Sequence, residues 1–414
     1  MNKIKHYLSV MGPGLLMAGA AIGVSHIVQS TRAGANFGFQ LAFIIVIANL
    51  FKYPFFEFGH RYSVATGQNL LNGYEKLGKP FLIGFFILNI FTSIGTMAGV
   101  TYVTGALAYN LFGQMGSVTM WSGILLLLCG GVLTIGHYKW LDHFMKVIML
   151  ILFVATLTAF FVAVVNGPVA NKEFINPSPF NIVTLPFLIA LMGWMPAPVE
   201  TSVWQSLWVQ AKNRNQQHNM SWQEAKLDFN FGYISTAVLA LIFLALGALV
   251  MNGTGTVFSD AGGTFAAQVV NLYTQSLGAW SKPIIAFAAF FTMFSTTLTC
   301  FDAYPRSLTA AFELIWKNIK FNDRRLYYFW LLWAGLGGFL VISLFVTNLK
   351  SLVDFVTIAA FLTAPIFAAM NYKLIFSDHM PTQFRPNRWI KWLCWIGLIY
   401  LFGFSLIFLI HRFG

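Results

Sequence analysis

The chain has few charged residues. Only 9% of its 414 residues are Asp, Glu, Lys or Arg, whereas a typical globular domain has roughly 25%. Apolar residues make up 57% of the sequence and aromatic residues 17%. So little charge excludes an ordinary soluble protein, and the composition predicts an all-α integral membrane protein.

Acidic residues are scarcer than basic ones, 13 against 25, which gives a formal net charge of +12. Such an excess can indicate nucleic-acid binding, but here the Lys and Arg alternate by loop. If the N-terminus is cytoplasmic, 19 of the 25 fall in cytoplasmic segments, Arg32 and Lys52 lie within spans, and only Lys172, Lys282, Lys350 and Arg412 fall outside. This bias follows the positive-inside rule. It predicts a cytoplasmic N-terminus, an external C-terminus and no nucleic-acid partner.

The sequence also lacks the marks of a nucleotide-driven pump or a cofactor enzyme. It has no Gly-x-x-x-x-Gly-Lys-Ser/Thr loop and no soluble domain to house one. Its three cysteines, Cys129, Cys300 and Cys394, show no metal-ligand spacing and are interpreted as small buried apolar residues. We therefore expect neither enzymatic activity nor a bound cofactor.

What the sequence does contain is a series of apolar runs long enough to cross roughly 30 Å of hydrocarbon. Eleven spans are predicted, at about 11–34, 38–60, 81–110, 118–136, 144–166, 182–209, 229–251, 283–304, 327–347, 351–373 and 391–411. The first five (11–166) and the next five (182–373) are odd-numbered sets, so the second set is inverted relative to the first. The prediction is one transport domain over 1–414, in which 391–411 is an additional helix.

Two spans are interrupted by helix-unfriendly residues at matching places in the two halves. The first contains Gly12-Pro13-Gly14 and then Gly23-Val24-Ser25-His26, and the sixth contains Gly193-Trp194-Met195-Pro196-Ala197-Pro198. An unpaired backbone group in lipid costs several kcal/mol, so a broken helix persists only where it is buried in protein or lines a polar cavity. Paired breaks predict the substrate site of a secondary transporter. The stretch from Phe265 to Leu277 is predicted to be an external helix over this site.

Four acidic residues lie within or at the edges of spans: Glu57, Glu200, Asp302 and Asp354. A charge at this depth costs about 2.5 to 3.5 kcal/mol and tends to be functional. Local ion pairs with Arg61 and Arg306, one helical turn further on, are the favoured interpretation for Glu57 and Asp302. Asp354 is either functional or a helix-start residue. Glu200 follows the second break, where it either faces the cavity as a cation ligand or proton carrier, or binds the free amides of a restarting helix.

His26 is the only histidine well inside a span, and it lies in the first break beside Ser25. A neutral imidazole can ligate a transition metal, and titration near neutrality suits proton coupling. Met195, in the second break, offers a soft thioether of the kind that transition metals prefer to Mg or Ca. Thr296 in span eight is a candidate for lining a hydrated path, although helical hydroxyls usually bond to their own backbone.

These residues resemble the NRAMP (natural resistance-associated macrophage protein) family of proton-coupled divalent-metal transporters. Gly12-Pro13-Gly14-Leu15-Leu16-Met17 is similar to the family's Gly-Pro-Gly-Phe-Leu-Met, and Arg32-Ala33-Gly34-Ala35 to its Gln-Ala-Gly-Ala. Arg61 with 64–70 resembles the stretch that ends span two, and Met195-Pro196 matches the start of the Met-Pro-His motif in span six. The resemblance implies an eleven-span LeuT-type fold with inverted five-helix repeats and broken helices 1 and 6.

The chain departs from the family at the ligands. Where the family has Asp-Pro-Gly-Asn, this chain has Gly23-Val24-Ser25-His26, and the Met-Pro-His histidine is replaced by Ala197. Span three lacks the family's acidic residues. Of the family's metal ligands, only Met195 is retained. A dehydrated divalent ion needs compensating charge or strong dipoles, so that charge must come from Glu200, or the cargo is not a bare divalent cation.

Our first hypothesis is a secondary transporter of the cell membrane that imports a divalent transition metal, Mn²⁺ above all, with protons and by alternating access. The predicted substrate-binding residues are Gly23, Ser25, His26, Met192, Met195, Ala197 and Glu200. His26, Met195 and Glu200 are the predicted metal ligands, and His26, Glu200 and Asp302 are the proton-coupling candidates.

The alternative hypothesis keeps the fold and exchanges the cargo for a small neutral or anionic solute. A third class, a sensor that does not transport, lacks the soluble output domain that it would need. The expected partners are the metal ion, protons and membrane lipid. The sequence leaves the oligomeric state open and is consistent with a monomer.

Overall fold

A computed structural model describes residues 12–135, 139–171, 173–215, 220–319, 322–346 and 348–414. None of these residues forms a β-strand, and most are helical. Three predicted span ends, Met11, Gly136 and Thr347, lie outside the described residues, as does Lys172.

Fifteen α-helices are found in the described part of the chain. In chain order they are α1 (Pro13–Ala21), α2 (Thr31–Phe37), α3 (Ala42–Thr66), α4 (Leu70–Leu77), α5 (Lys79–Leu111), α6 (Val118–Ile135), α7 (Lys139–Asn166), α8 (Leu185–Gly193), α9 (Thr201–Asn215), α10 (Trp222–Val250), α11 (Gly262–Leu277), α12 (Lys282–Ile315), α13 (Asp323–Phe345), α14 (Leu349–Ile375) and α15 (Arg388–Phe413). A π-helical segment, Ser25–Ser30, precedes α2, and short 3₁₀ turns occupy Gly38–Leu41, Ala279–Ser281 and Thr382–Phe384.

Nine helical stretches of the described chain are long and apolar enough to cross a membrane. These stretches correspond to the nine predicted spans that have no interruption. The first stretch, Ser25–Thr66, also includes the second half of span one. The two broken spans, α1 with α2 and α8 with α9, complete the eleven. The prediction of an all-α, eleven-span membrane protein is therefore confirmed. The predicted external helix also forms, as α11.

The first break lies between Ala21 and Ser25. α1 begins with Pro13, whose missing N–H costs nothing in a first helical turn. It ends at Ala21, and Ile22 leaves the helical conformation with φ −75° and ψ +76°. The chain then resumes as the wider π-helical segment. The break therefore leaves carbonyl groups of α1 without helical partners.

The second break lies between Gly193 and Thr201. Pro196 and Pro198 have no N–H group to donate, so a helix cannot run through this segment. α9 restarts at Thr201, whose hydroxyl donates to the Pro198 carbonyl at 2.8 Å. Seven residues of non-helical backbone thus lie in the middle of the bundle, and Trp194, Met195 and Ala197 among them are buried.

Two pairs of helices touch backbone to backbone next to the breaks. A Cβ atom on Gly193 would lie 1.9 Å from the Thr357 carbonyl oxygen of α14, and one on Gly232 of α10 would lie 2.2 Å from the Gly14 carbonyl oxygen of α1. Small residues allow such approach between membrane helices. The half-helices α1 and α8 are therefore held by direct backbone packing.

The two ends of the bundle differ in their contacts. At one end, which we call the basic end, Lys317 forms an ion pair with Glu75, and the Asn69 amide donates to Gln210 at 3.0 Å. At the opposite end the α11 segment meets the start of α14, where Lys350 pairs with Asp260 at 2.9 Å. The breaks lie between these two ends.

Candidate transport site

A small cavity lies between the two breaks. It encloses about 30 Å³, room for one or two water-sized bodies. Its walls are mostly aliphatic and tryptophan side chains, including Trp194, Trp204 and Trp208. The polar or polarisable side chains that line it are Met17, Ser25, Thr96, Thr201, Thr296 and Cys300. The paired breaks therefore do enclose a common space.

Thr296 of α12 occupies the place of the missing carboxylate at the first break. A Cβ atom on Gly23 would meet its Cγ2 at 3.0 Å and its Oγ1 at 3.2 Å. The Thr296 hydroxyl donates to the carbonyls of Gly19 at 3.1 Å and of its own helix residue Thr292 at 3.2 Å. In this chain a neutral hydroxyl thus fills the space next to Gly23, and it leaves no room for a longer side chain there.

His26 is fully buried, and both of its ring nitrogens have protein partners. Nε2 donates to the Thr236 carbonyl of α10 at 2.9 Å, and Nδ1 lies 2.7 Å from the Ser25 hydroxyl. The hydrogen bond to a carbonyl assigns the proton of the neutral ring to Nε2. The ring thus joins the first break to α10, and the Ser25 side chain, not the imidazole, borders the cavity.

The two methionines at the second break turn away from the cavity. Met195 is fully buried in the hydrophobic cluster that contains Phe58 and Phe361, and it is not among the cavity-lining residues. The Met192 sulfur accepts a hydrogen bond from Tyr400 of α15 at 2.7 Å. Ala197 does line the cavity. Neither thioether has its sulfur at the cavity in this conformation.

Glu200 lies directly behind the cavity wall and is 1% exposed. Its Oε1 accepts from the Tyr304 hydroxyl at 2.6 Å, and that hydroxyl is also 2.8 Å from the Thr96 hydroxyl. Its Oε2 has no hydrogen-bond partner among the described residues, although the Thr92 hydroxyl is near it. A buried carboxylate oxygen without a partner leaves room for a further ligand.

Cys300 adds a thiol to this group. It lies one turn before Tyr304 on α12, borders the cavity, and is close enough to Glu200 for the two groups to interact electrostatically. A carboxylate and a thiol together offer one hard and one soft donor. Nevertheless, no group of three His, Cys, Asp or Glu side chains with metal-site geometry occurs in the described part of the chain.

A lysine occupies the carbonyl end of α8 at the second break. Lys52 of α3 is fully buried, and its Nζ donates to the Met192 carbonyl at 2.6 Å and to the Gly193 carbonyl at 2.8 Å. Met192 is a predicted substrate-binding residue, but its carbonyl is already bonded to Lys52. The sequence could have indicated Lys52, because a lysine ten residues into an apolar helix lies where charge is rare.

A second, larger cavity of about 1190 Å³ runs from the first break to the basic end. Ile22 and Thr292 line its inner part, and Arg214, Asp302 and Arg306 line its outer part. Asp302 accepts from Arg306 at 2.6 Å, which confirms the predicted local ion pair, and from Tyr327 at 2.7 Å. The predicted pair of Glu57 with Arg61 is also confirmed, with Nε to Oε2 at 2.8 Å.

At the opposite end a charged network joins α2 to α14. Arg32 binds Asp354 through two hydrogen bonds of 2.7 and 3.1 Å, and Gln29 donates to the same carboxylate at 2.9 Å. Asp354 is the sixth residue of α14, whose first turn is capped by Asn348 instead. The interpretation of Asp354 as a helix-start residue is therefore wrong. Its carboxylate instead pairs with Arg32 of another helix.

Asp228 of α10 is a further charged residue that the sequence reasoning missed. Its carboxylate accepts from the backbone N–H groups of Gly12 at 2.9 Å and Gly14 at 2.8 Å. It thereby caps the first turn of α1 from a distant part of the chain. Because Asp228 lies 214 residues from Gly14, the sequence around Gly14 does not indicate this cap.

Comparison with known proteins extends over almost the whole chain. A family model described as natural resistance-associated macrophage protein-like matches residues 14–411. The protein PM0681 of Pasteurella multocida is 40% identical over 409 residues, which cover 98% of this chain and 93% of the relative. The divalent metal cation transporter MntH of Staphylococcus aureus is 25% identical over 313 residues, covering 72% of this chain and 68% of the relative.

A solved structure has the same architecture. A mutant of the Eremococcus coleocola manganese transporter superposes with a TM-score of 0.71 over 97% of this chain and 86% of that chain, at 15% identity. Identity this low shows the fold alone. That fold is the LeuT-type arrangement that the resemblance to the NRAMP family implied.

Proposed function

Because the chain belongs to the natural resistance-associated macrophage protein-like family, we propose that it is a secondary transporter that imports a divalent transition metal, with Mn²⁺ as the first candidate. Two relatives support this cargo, since one is a divalent metal cation transporter and another a manganese transporter. The observation in this chain that carries the proposal is the Glu200 carboxyl behind the cavity between the two breaks, with one oxygen unpartnered.

Glu200 supplies the negative charge that the first break no longer has. A metal ion in the cavity meets the hydroxyls of Ser25, Thr96 and Thr296 and the thiol of Cys300 on its walls. Ala197 borders this space, whereas the place beside Gly23 is filled by Thr296. His26 and Met195 do not face this space, so their part in the site is to fix the shape of the two breaks.

Proton coupling is assigned to carboxyl groups along the same route. Glu200 is linked through Tyr304 to Thr96 at the small cavity, while Asp302 lines the larger one. Binding a cation at Glu200 favours its ionised form, and the proton that it releases leaves through the larger cavity past Asp302, so that the metal and the proton move in the same direction. His26, whose nitrogens are both bonded, is the weakest of the three coupling candidates.

The unequal ends of the bundle support a mechanism of alternating access. The larger cavity opens at the basic end, whereas the Arg32 to Asp354 pair joins α2 to α14 at the other end. With the N-terminus in the cytoplasm, the basic end is cytoplasmic by the positive-inside rule. We assign the structure to an inward-facing state of a multi-pass membrane protein.

One observation favours a second candidate cargo. The ammonium of Lys52 lies at the second break, and the cavity walls include three tryptophans. A positive charge and aromatic walls suit a small anionic or neutral organic solute better than a dehydrated divalent ion. The fold and the position of the site are the same in both cases.

Calorimetry on the purified protein separates the two cargoes. Heat released on titration with Mn²⁺, and lost in Glu200→Gln but kept in Glu173→Gln, supports the metal; Glu173 is exposed and serves as the matched control. Silence toward every divalent transition metal, with a response to a small organic anion, supports the alternative and contradicts the first proposal.

A further inference from the structure

Lys52 is the most unusual charged residue of the molecule. It lies in the interior of α3, with its side chain fully buried. Lysines in membrane helices usually extend to the interface so that the ammonium group stays hydrated. Lys52 instead ends at the second break, where its two hydrogen-bond acceptors are main-chain carbonyls.

The acceptors are the last two carbonyls of α8, those of Met192 and Gly193. A helix leaves its last carbonyls unpaired, and they carry the negative end of the helix dipole. In membrane transporters such half-helix ends coordinate small cations. The Nζ distances of 2.6 and 2.8 Å are as short as charge-assisted hydrogen bonds.

The other neighbours of Nζ do not supply a compensating charge. The Phe361 ring lies with its centroid 5.9 Å away, within the range of a cation–π contact. On its own helix, Glu57 is engaged by Arg61. In the described residues no carboxylate pairs with Lys52, so the carbonyl oxygens and the ring are what hold the ammonium.

We propose that the Met192 and Gly193 carbonyls form a monovalent-cation site that the Lys52 ammonium fills as a tethered cation. The protein thereby supplies from its own chain the positive charge that this half-helix end would otherwise take from solution. It follows that the Met192 carbonyl does not ligate the cargo, and that transport needs no dissolved monovalent metal cation at this position.

Removing the side chain should open the site to a cation from solution. In Lys52→Ala we expect a lower melting temperature than in the wild type, and a saturable recovery when methylammonium or Na⁺ replaces choline at constant ionic strength. The wild type should show no such preference among the salts. This measurement contains no cargo, so it is independent of whether the proposed metal transport is correct.

Lys350→Ala is the matched control, since Lys350 also donates to a carbonyl, that of Phe258 at 2.9 Å, but beside the carboxylate of Asp260. It should show no cation-specific recovery. Lys52→Gln, which keeps a donor but not the charge, is measured in parallel in case the alanine variant does not survive extraction, and methylammonium is also added during extraction. The proposal is overturned if no monovalent cation changes the folded yield or the melting temperature of either Lys52 variant.

Discussion

The donors around the small cavity combine two kinds of chemistry in a few residues. Glu200 offers a hard carboxylate oxygen bonded to Tyr304, and Cys300 offers a soft sulfur one helical turn before Tyr304. Softer cations gain more from sulfur than Mn²⁺ does. In the proposed metal site, the identity of single side chains at the cavity is therefore expected to decide which metal is preferred.

Cys300→Ser should shift that preference toward harder ions. We expect the affinity for Cd²⁺ relative to Mn²⁺ to fall by roughly tenfold, about 1.4 kcal/mol, because an oxygen replaces the sulfur at nearly constant volume. Competition between the two ions in an uptake assay measures this ratio. Cys129→Ser, at a buried cysteine outside the cavity, is the control, and an equal change in both variants would rule out Cys300 as a ligand.

Some side-chain contacts of individual residues could be predicted from the sequence, and others could not. Glu57 and Asp302 were predicted to pair with arginines one turn away, because both partners lie on one helix face, and they do. The side-chain orientations of His26 and Met195 were not predictable, since His26 lies in a π-helical segment and Met195 in non-helical backbone, where a regular α-helical period does not apply. Asp354 was ambiguous because its partner, Arg32, is 322 residues away.

At the scale of helices, the structure consists of half-helices held by neighbouring intact ones. α1 is capped by Asp228 of α10, α2 is joined to α14 by Arg32 and Asp354, and α8 packs its last residue directly on α14. The positions of both breaks were predictable from glycine and proline in apolar spans. The partners of the half-helices were not, because they come from distant parts of the sequence.

Asp354→Asn should weaken closure of the end that carries α2 and α14. The substitution leaves the Arg32 guanidinium without its anion, which favours separation of the two helices. A membrane-impermeant thiol reagent should then label Thr357→Cys, which is fully buried in the wild type, several-fold faster. Exchanging the charges by Arg32→Asp with Asp354→Arg should restore protection. Equal labelling in all three backgrounds would mean that the pair does not close this end.

Gly232→Ala should destabilise the docking of α1 on α10. The added methyl group would lie 2.2 Å from the Gly14 carbonyl oxygen, so the helices must separate. Overpacking of this kind costs about 1 to 3 kcal/mol, and the melting temperature of the purified protein should fall accordingly. At Gly131, where nothing lies within 4 Å of a new Cβ atom, alanine should be neutral. A similar loss at both positions would show that backbone contact is not the cause.

The predicted topology of the whole molecule depends on its hydropathy and on its odd number of spans. Apolar runs alone were enough to predict eleven crossings, and the structure has nine unbroken helices and two broken ones in its described residues. An odd count is expected to place the two termini on opposite sides of the membrane. The distribution of basic residues then predicts which side is cytoplasmic.

Reporter fusions test this orientation directly. Alkaline phosphatase fused after Phe413 should be active outside the cytoplasm, whereas a fluorescent protein fused at the N-terminus should fluoresce inside the cell. The reverse pattern would place the larger cavity on the external side and make the structure outward-facing. The dual fusion needs no knowledge of the cargo.

We propose that this chain carries a divalent metal through the site between its two breaks, with Glu200 as the charged ligand. Mn²⁺ uptake into proteoliposomes under an inward proton gradient measures this transport. We expect uptake by the wild type and by Glu173→Gln, at least a tenfold lower rate in Glu200→Gln, and loss of uptake when the gradient is collapsed. Wild-type uptake no greater than that of empty liposomes, or equal rates in the wild type and Glu200→Gln, would contradict it.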